Sequence, residues 1–96
     1  MDVAERFSDN LHRARKRAGI SQEELGFRAE LHRTEIGLLE RGSRLARIDT
    51  LVKLAGALDI APEALLDGIL WSPARIASGG FDVSEGGPGS EGRGDG

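Results

Sequence analysis

Residues 21–42 read SQEELGFRAELHRTEIGLLERG, and the spacing of apolar and capping residues in this stretch decides the fold. Ser21 followed three positions later by Glu24 predicts a capping box, in which hydroxyl and carboxylate each satisfy a backbone donor of the first turn. A helix is therefore expected over Gln22 to Ala29, with Leu25, Gly26 and Ala29 facing inward. The pattern breaks at Glu30, Leu31 and His32 and resumes with Ile36 and Leu39, which predicts a second helix over Arg33 to Arg41. Gly42 supplies the stop, because glycine tolerates the positive φ of a helix C-terminal boundary. Helices this brief are marginal alone in water, so each must lean on the other and on neighbours. Gly26 falls where the second helix has to cross, and a larger side chain would push the pair apart. Two short helices meeting steeply through a turn of a few residues make a helix-turn-helix, whose second helix enters the DNA major groove.

The surrounding chain strengthens this reading. Leu11 to Ile60 runs LHRARKRAGISQEELGFRAELHRTEIGLLERGSRLARIDTLVKLAGALDI, and with ISQEEL, RTEI, LERG and DTLVKLAGAL all in register it resembles the Cro/C1-type, or xenobiotic-response-element-type, helix-turn-helix proteins. The resemblance covers a little over half the chain. It implies an all-α, compact five-helix, lambda-repressor-like DNA-binding domain, here over residues 1–71; composition adds the expectation of a disordered, flexible Gly-rich acidic tail over 72–96. The resemblance also implies that Arg15 and Glu40 form a largely buried ion pair, and that Gln22 holds a phosphate. Four positions depart from the family pattern. Glu30 stands where a glycine is usual, in a left-handed turn that costs a residue with a β-carbon about 1–2 kcal/mol. Phe27 stands where an exposed polar residue is common, and packing against the first helix is the expectation. His32 replaces a capping serine and is expected to cap poorly. Leu38 replaces what is often a polar reader of bases.

Composition bounds the alternatives. Ninety-six residues without cysteine make one small domain with a modest core and no disulfide framework or thiolate metal site. No apolar run approaches the ~18 residues of a membrane span, and MDVAERFSDN carries acids where a secretion signal needs bases. The expectation is a cytoplasmic protein, prokaryotic or phage and nucleoid-associated, with no membrane partner. A net charge of −3 is unusual for a DNA binder, but the distribution matters more than the total. Residues 72–96 hold Arg75 and Arg93 against Asp82, Glu85, Glu91 and Asp95, which leaves a nearly neutral domain. Its bases cluster at Arg13, Arg15, Lys16 and Arg17 and again at Arg41, Arg44 and Arg47. Screening at physiological salt limits each phosphate to charges within about 8 Å, so the distribution outweighs the total, and modest non-specific affinity is expected.

Beyond the central stretch, Phe7, Leu11, Ala14 and Ala18 make one apolar stripe and predict a helix from Val3 to Ala18, ended by Gly19. A fourth helix is expected from about Asp49 to Leu58, burying Ile48, Leu51, Val52, Ala55 and Leu58. A fifth is expected from Pro62, a favoured first helical position, with Leu65, Leu66 and Ile69 inward. Residues 72–96 contain eight glycines and two prolines, too little apolar surface to offset the entropy of ordering, so a free tail is expected. Local docking of residues 74–76 or 81–83 is the alternative.

Side chains at the start of a groove-inserted helix read bases. Arg33 can present two donors to guanine O6 and N7, worth about 1–3 kcal/mol against a wrong base. Thr34 can offer a methyl or a hydroxyl. Glu35 could accept from cytosine N4, although an interaction with the helix dipole or orientation of Arg33 is the favoured role. Leu38, one turn on, can touch a thymine methyl or belong to the rim of the core. Phosphate anchoring falls to Ser21 and Gln22 at a helix N-terminus, where backbone donors and dipole suit an anion, and to Arg41, Arg44 and Arg47. His12 and His32 lack the partners of a metal or catalytic site, and no nucleophile elbow or phosphate loop is present, so neither enzymatic activity nor a cofactor is expected.

The reading is a sequence-specific DNA-binding transcriptional regulator on a palindromic operator. A module of this size contacts few bases, so a homodimer on two half-sites about one helical turn apart is expected. Leu66, Ile69, Leu70 and Trp71 form the candidate dimer surface, an apolar cluster holding the one tryptophan; capping of the monomer core is the other reading of Trp71. Regulation by a small molecule through a ligand-sensing domain is not expected. Two rivals compete: an antitoxin whose tail folds on a toxin, and a protein-interaction module that uses Phe27, Leu38 and the acidic surface.

Overall fold

Asp2 and Glu5 open the first helix with a reciprocal capping box: Asp2 Oδ1 accepts from the Glu5 amide at 2.9 Å, and the Asp2 amide donates to Glu5 Oε1 at 2.8 Å. In this computed structural model, which describes residues 1–73 and 79–84, α1 then runs Val3–Ala18 and stops at Gly19. Next come α2 (Gln22–Ala29), α3 (Arg33–Glu40) and α4 (Ile48–Leu58), a short 3-10 turn over Pro62–Leu66, and an antiparallel hairpin of β1 (Ile69–Ser72) with β2 (Gly80–Val83). None of the helices among the described residues is long and apolar enough to cross a membrane.

The core is one cluster in which Leu11, Leu25, Ile36, Leu39, Leu54 and Leu65 are fully buried, so every helix and the 3-10 turn contributes to it. α2 and α3 cross closely because Gly26 lets them. A β-carbon at Gly26 would lie 2.7 Å from the Leu31 carbonyl oxygen, a backbone atom that cannot swing aside. Glu30 occupies the left-handed region at φ 57°, and its amide closes α2 onto the Phe27 carbonyl. The turn thus has the glycine-like shape without the glycine.

Several expectations are corrected. Among the described residues, four α-helices stand where five were expected. The segment from Pro62 makes only a 3-10 turn, and Ile69, Leu70 and Trp71 lie on a strand instead of a helix end. The free tail is corrected at Gly80–Val83, which pairs with β1 in the register Ile69 to Val83 and Trp71 to Phe81. The rings of Trp71 and Phe81 meet edge to face with centroids 5.1 Å apart. Residues 74–78 and 85–96, including the rest of the expected tail and the docking of 74–76, lie outside the described residues. In α4 the buried side is Leu54, Ala55 and Leu58, whereas Ile48 and Val52 face solvent at 82% and 51% exposure. Phe27 does not pack against α1 and is exposed. At α2 the capping box is half formed: Ser21 Oγ accepts from the Glu24 amide, but the Glu24 carboxylate takes Arg28 instead. His32 does cap α3, its Nδ1 accepting from the Thr34 amide at 3.0 Å.

Two buried polar residues on α1 anchor the far end of the chain. Arg6, with no exposed surface, donates from Nε to the Asp67 carbonyl at 2.9 Å and from Nη2 to Asp67 Oδ2 at 3.2 Å. Asn10 Nδ2 donates to the carbonyls of Leu65 and Asp67, each at 2.9 Å. A 3-10 turn that stops without continuing leaves such carbonyls unpaired, and these side chains satisfy them. Gly68 follows at φ 81°, where a β-carbon would come within 2.7 Å of Arg6 Nε, so the chain passes directly over the guanidinium into β1.

Candidate nucleic-acid interface

The helix-turn-helix presents one face to solvent and is held from behind by charge. Arg15 donates from Nε to Glu40 Oε2 at 2.6 Å and from Nη2 to Glu40 Oε1 at 3.0 Å, with 9% and 3% of the two side chains exposed. Gln22 Nε2 adds a bond to Glu40 Oε1 at 3.1 Å, and His12 Nδ1 lies 3.0 Å from the same oxygen. Arg15 Nη1 reaches the Ile20 carbonyl, so the pair ties α1, the α1–α2 connection, α2 and the end of α3 together. Burial pushes the Glu40 carboxyl up, but hydrogen bonds from Arg15, His12 and Gln22 outweigh it and leave the group below its ordinary range. The Arg15 guanidinium is raised, chiefly by its hydrogen bond to Glu40.

This brace fixes the outward side. Arg33 and Thr34, at the start of α3, are exposed, while Ile36, Gly37 and Leu39 of the same helix are buried. An open cleft of about 740 Å³ runs beside them, lined by Lys16, Gly19, Ser21, Gln22 and Arg33. Ser21 is exposed at the α2 N-terminus and Gln22 is half-buried, its amide turned toward Glu40. The cleft therefore joins the start of α2 to the start of α3, and its charged lining is the cations Arg15, Lys16 and Arg33 with the carboxylate Glu23. Lys16 belongs to this cleft although only its place in the basic run of α1 pointed to it.

The remaining cations follow α3. Arg41 is exposed and lies along the helix, its Nη1 only 3.1 Å from where a β-carbon on Gly37 would sit. Gly37 thus makes room for an arginine. Arg44 is ion-paired with Glu35, for which the helix dipole or the orientation of Arg33 was the expected role. Arg47 is 84% exposed at its side chain and 3.4 Å from Asp49. Leu38 is half-buried at the rim. The candidate dimer residues lie apart from this face: Leu66, Leu70 and Trp71 are 44%, 66% and 56% exposed, while Ile69 packs partly against the core. Among the described residues, no group of three or more His, Asp or Glu side chains is placed to hold a metal ion.

A helix-turn-helix family model matches residues 11–65, more than half of the chain. The chain belongs to the Cro/C1-type helix-turn-helix family. This is a family of DNA-binding transcription regulators and not of enzymes. Control protein C.BamHI of Bacillus amyloliquefaciens is 43% identical over 51 residues, 53% of this chain and 63% of its own. Control protein C.SmaI of Serratia marcescens is 39% identical over 66 residues, 69% of this chain and 79% of its own. Among solved structures, the restriction-modification controller protein C.AhdI from Aeromonas hydrophila is similar at 40% identity and a TM-score of 0.63, covering 65% of this chain and 94% of that one. The chain spans less than two thirds of the length of C.BamHI. Residues 66–96, with the hairpin, lie beyond the family match.

Proposed function

We propose that this protein is a sequence-specific DNA-binding transcriptional regulator that inserts α3 into the major groove of a palindromic operator as a homodimer in the cytoplasm. One observation carries the reading: the leading side chains of α3, Arg33 and Thr34, stand in solvent beside the exposed N-terminus of α2, over a core that fixes both helices. In that pose Arg33 reads guanine, Thr34 and Leu38 contact neighbouring base edges, and Glu35 reaches the same groove. Ser21 and Gln22 receive one phosphate at the α2 N-terminus, and Lys16, Arg41, Arg44 and Arg47 are the cations that flank it. The exposed cluster of Leu66, Leu70 and Trp71, with Ile69 beneath, supplies the contact between protomers. The control-protein names of the relatives support a role in regulating restriction-modification genes.

A salt titration of binding to duplex DNA tests this directly. Log affinity should fall linearly with log salt concentration, with a slope of about −0.9 for each phosphate neutralised. A response flat in salt would overturn the reading and favour a protein-interaction module.

A further inference from the structure

Glu35 sits two residues after Arg33 in the first turn of α3, on the helix that would face a polyanion. An unpaired carboxylate there would repel phosphates. Instead, Arg44 Nη1 donates to Glu35 Oε1, linking the first turn of α3 to the loop that follows the helix. The guanidinium suited to a phosphate is thus occupied by a protein carboxylate, and the carboxylate suited to a base is occupied by a protein cation. Both side chains reach solvent, with 24% of Glu35 and 51% of Arg44 exposed, and ion pairs in such positions are weak enough to exchange.

We infer that Glu35 is a specificity-determining residue that makes a phosphate contact conditional on base identity. In the free protein, and on non-cognate duplex, Glu35 holds Arg44; on the cognate site the carboxylate passes to a cytosine N4 amino group and releases Arg44 to a neighbouring phosphate. The inference rests on the proposed DNA-binding function and extends it. Cytosine presents N4 as a donor in the major groove, the hydrogen-bonding complement of a carboxylate, whereas the N6 donor of adenine stands beside its N7 acceptor, which disfavours a carboxylate. Where the groove presents guanine O6 or thymine O4, releasing Arg44 would leave a carboxylate facing an acceptor among phosphates, so the pair stays closed. Arg33 supplies direct readout in either case; Glu35 withholds a non-specific contact from the wrong sequences.

The test is a salt titration with random-sequence duplex DNA, using full-length wild type, Glu35→Gln, Arg44→Ala and the double variant. Arg44 is exposed and Glu35 half-buried, and circular dichroism checks that each variant keeps the fold. Glu35→Gln should bind random duplex more tightly than wild type and with a slope steeper by about 0.9 per protomer, as one more phosphate is engaged. In the Arg44→Ala background the same substitution should leave the slope unchanged. An equal gain in both backgrounds would mean simple repulsion by Glu35 and would overturn the inference, as would no gain in either. Absence of salt-dependent binding by the wild type would instead remove the DNA-binding reading itself.

Discussion

Taking away the guanidinium of Arg15 leaves the Glu40 carboxylate buried with only His12 and Gln22 to hold it. Breaking a buried pair from one side costs about 3–5 kcal/mol, because the surviving charge stays out of water uncompensated. Arg15→Ala should therefore lower the urea unfolding midpoint by a large fraction of what so small a domain has. The pH dependence follows from Glu40. Its folded-state pKa lies below the ordinary value of 4.5, so its contribution is complete above that value and is lost as pH falls through the lower folded one. Stability should hold from neutrality to about pH 5 and decline below it, and Glu40→Gln, though less stable at neutrality, should decline less steeply. A midpoint that rises on acidification would contradict this. Glu30 offers a test of opposite sign. At φ 57° its β-carbon costs roughly 1–2 kcal/mol, more than the chain entropy a glycine adds to the unfolded state, so Glu30→Gly should raise the melting temperature.

At the scale of elements, the bounds of α1 and α2 were legible, because α1 has an apolar stripe ended by Gly19 and α2 has Ser21 as its cap, although the Asp2–Glu5 box was missed and Glu24 turned to Arg28. Arg6 and Asn10 were not legible. A periodicity argument assigns charged and amide side chains to water, and their partners are the carbonyls of Leu65 and Asp67, more than fifty residues away. α4 misled for a related reason: Ile48, Leu51, Val52, Leu54, Ala55 and Leu58 are apolar on more than one side, and only packing selects Leu54 over Val52. The hairpin was hidden because β2 offers only Phe81 and Val83, separated by Asp82, within a glycine-rich stretch, and nothing local says that it pairs with Ile69–Ser72. Gly68 is the joint between helical core and hairpin. Gly68→Ala places a methyl at a positive φ and 2.7 Å from Arg6 Nε, so it should disrupt the Trp71–Phe81 contact. Trp71 fluorescence should shift to the red at urea concentrations where the helical signal persists; coincident loss of both would contradict this.

For the whole molecule, the proposed function assigns DNA contact and dimer contact to two separate faces. The brace of Arg15 and Glu40 stands behind Arg33 and Thr34, and the apolar cluster of Leu66, Leu70 and Trp71 lies outside the helix-turn-helix. A homodimer formed through that cluster should dissociate in Leu70→Asp, read by sedimentation equilibrium, without loss of helical content. The exposure of Arg33 and Thr34 was legible from their place at the start of α3, while the pairing of Glu35 with Arg44 depends on the course of the loop after α3. Selection of bound duplexes from a random pool, run in parallel on wild type and Arg33→Ala, tests the central claim most directly. The wild type should enrich a two-fold symmetric motif with half-sites about one helical turn apart, and the variant should enrich the same motif with one guanine per half-site relaxed. An identical motif from both proteins, or no enrichment by the wild type, would contradict the account.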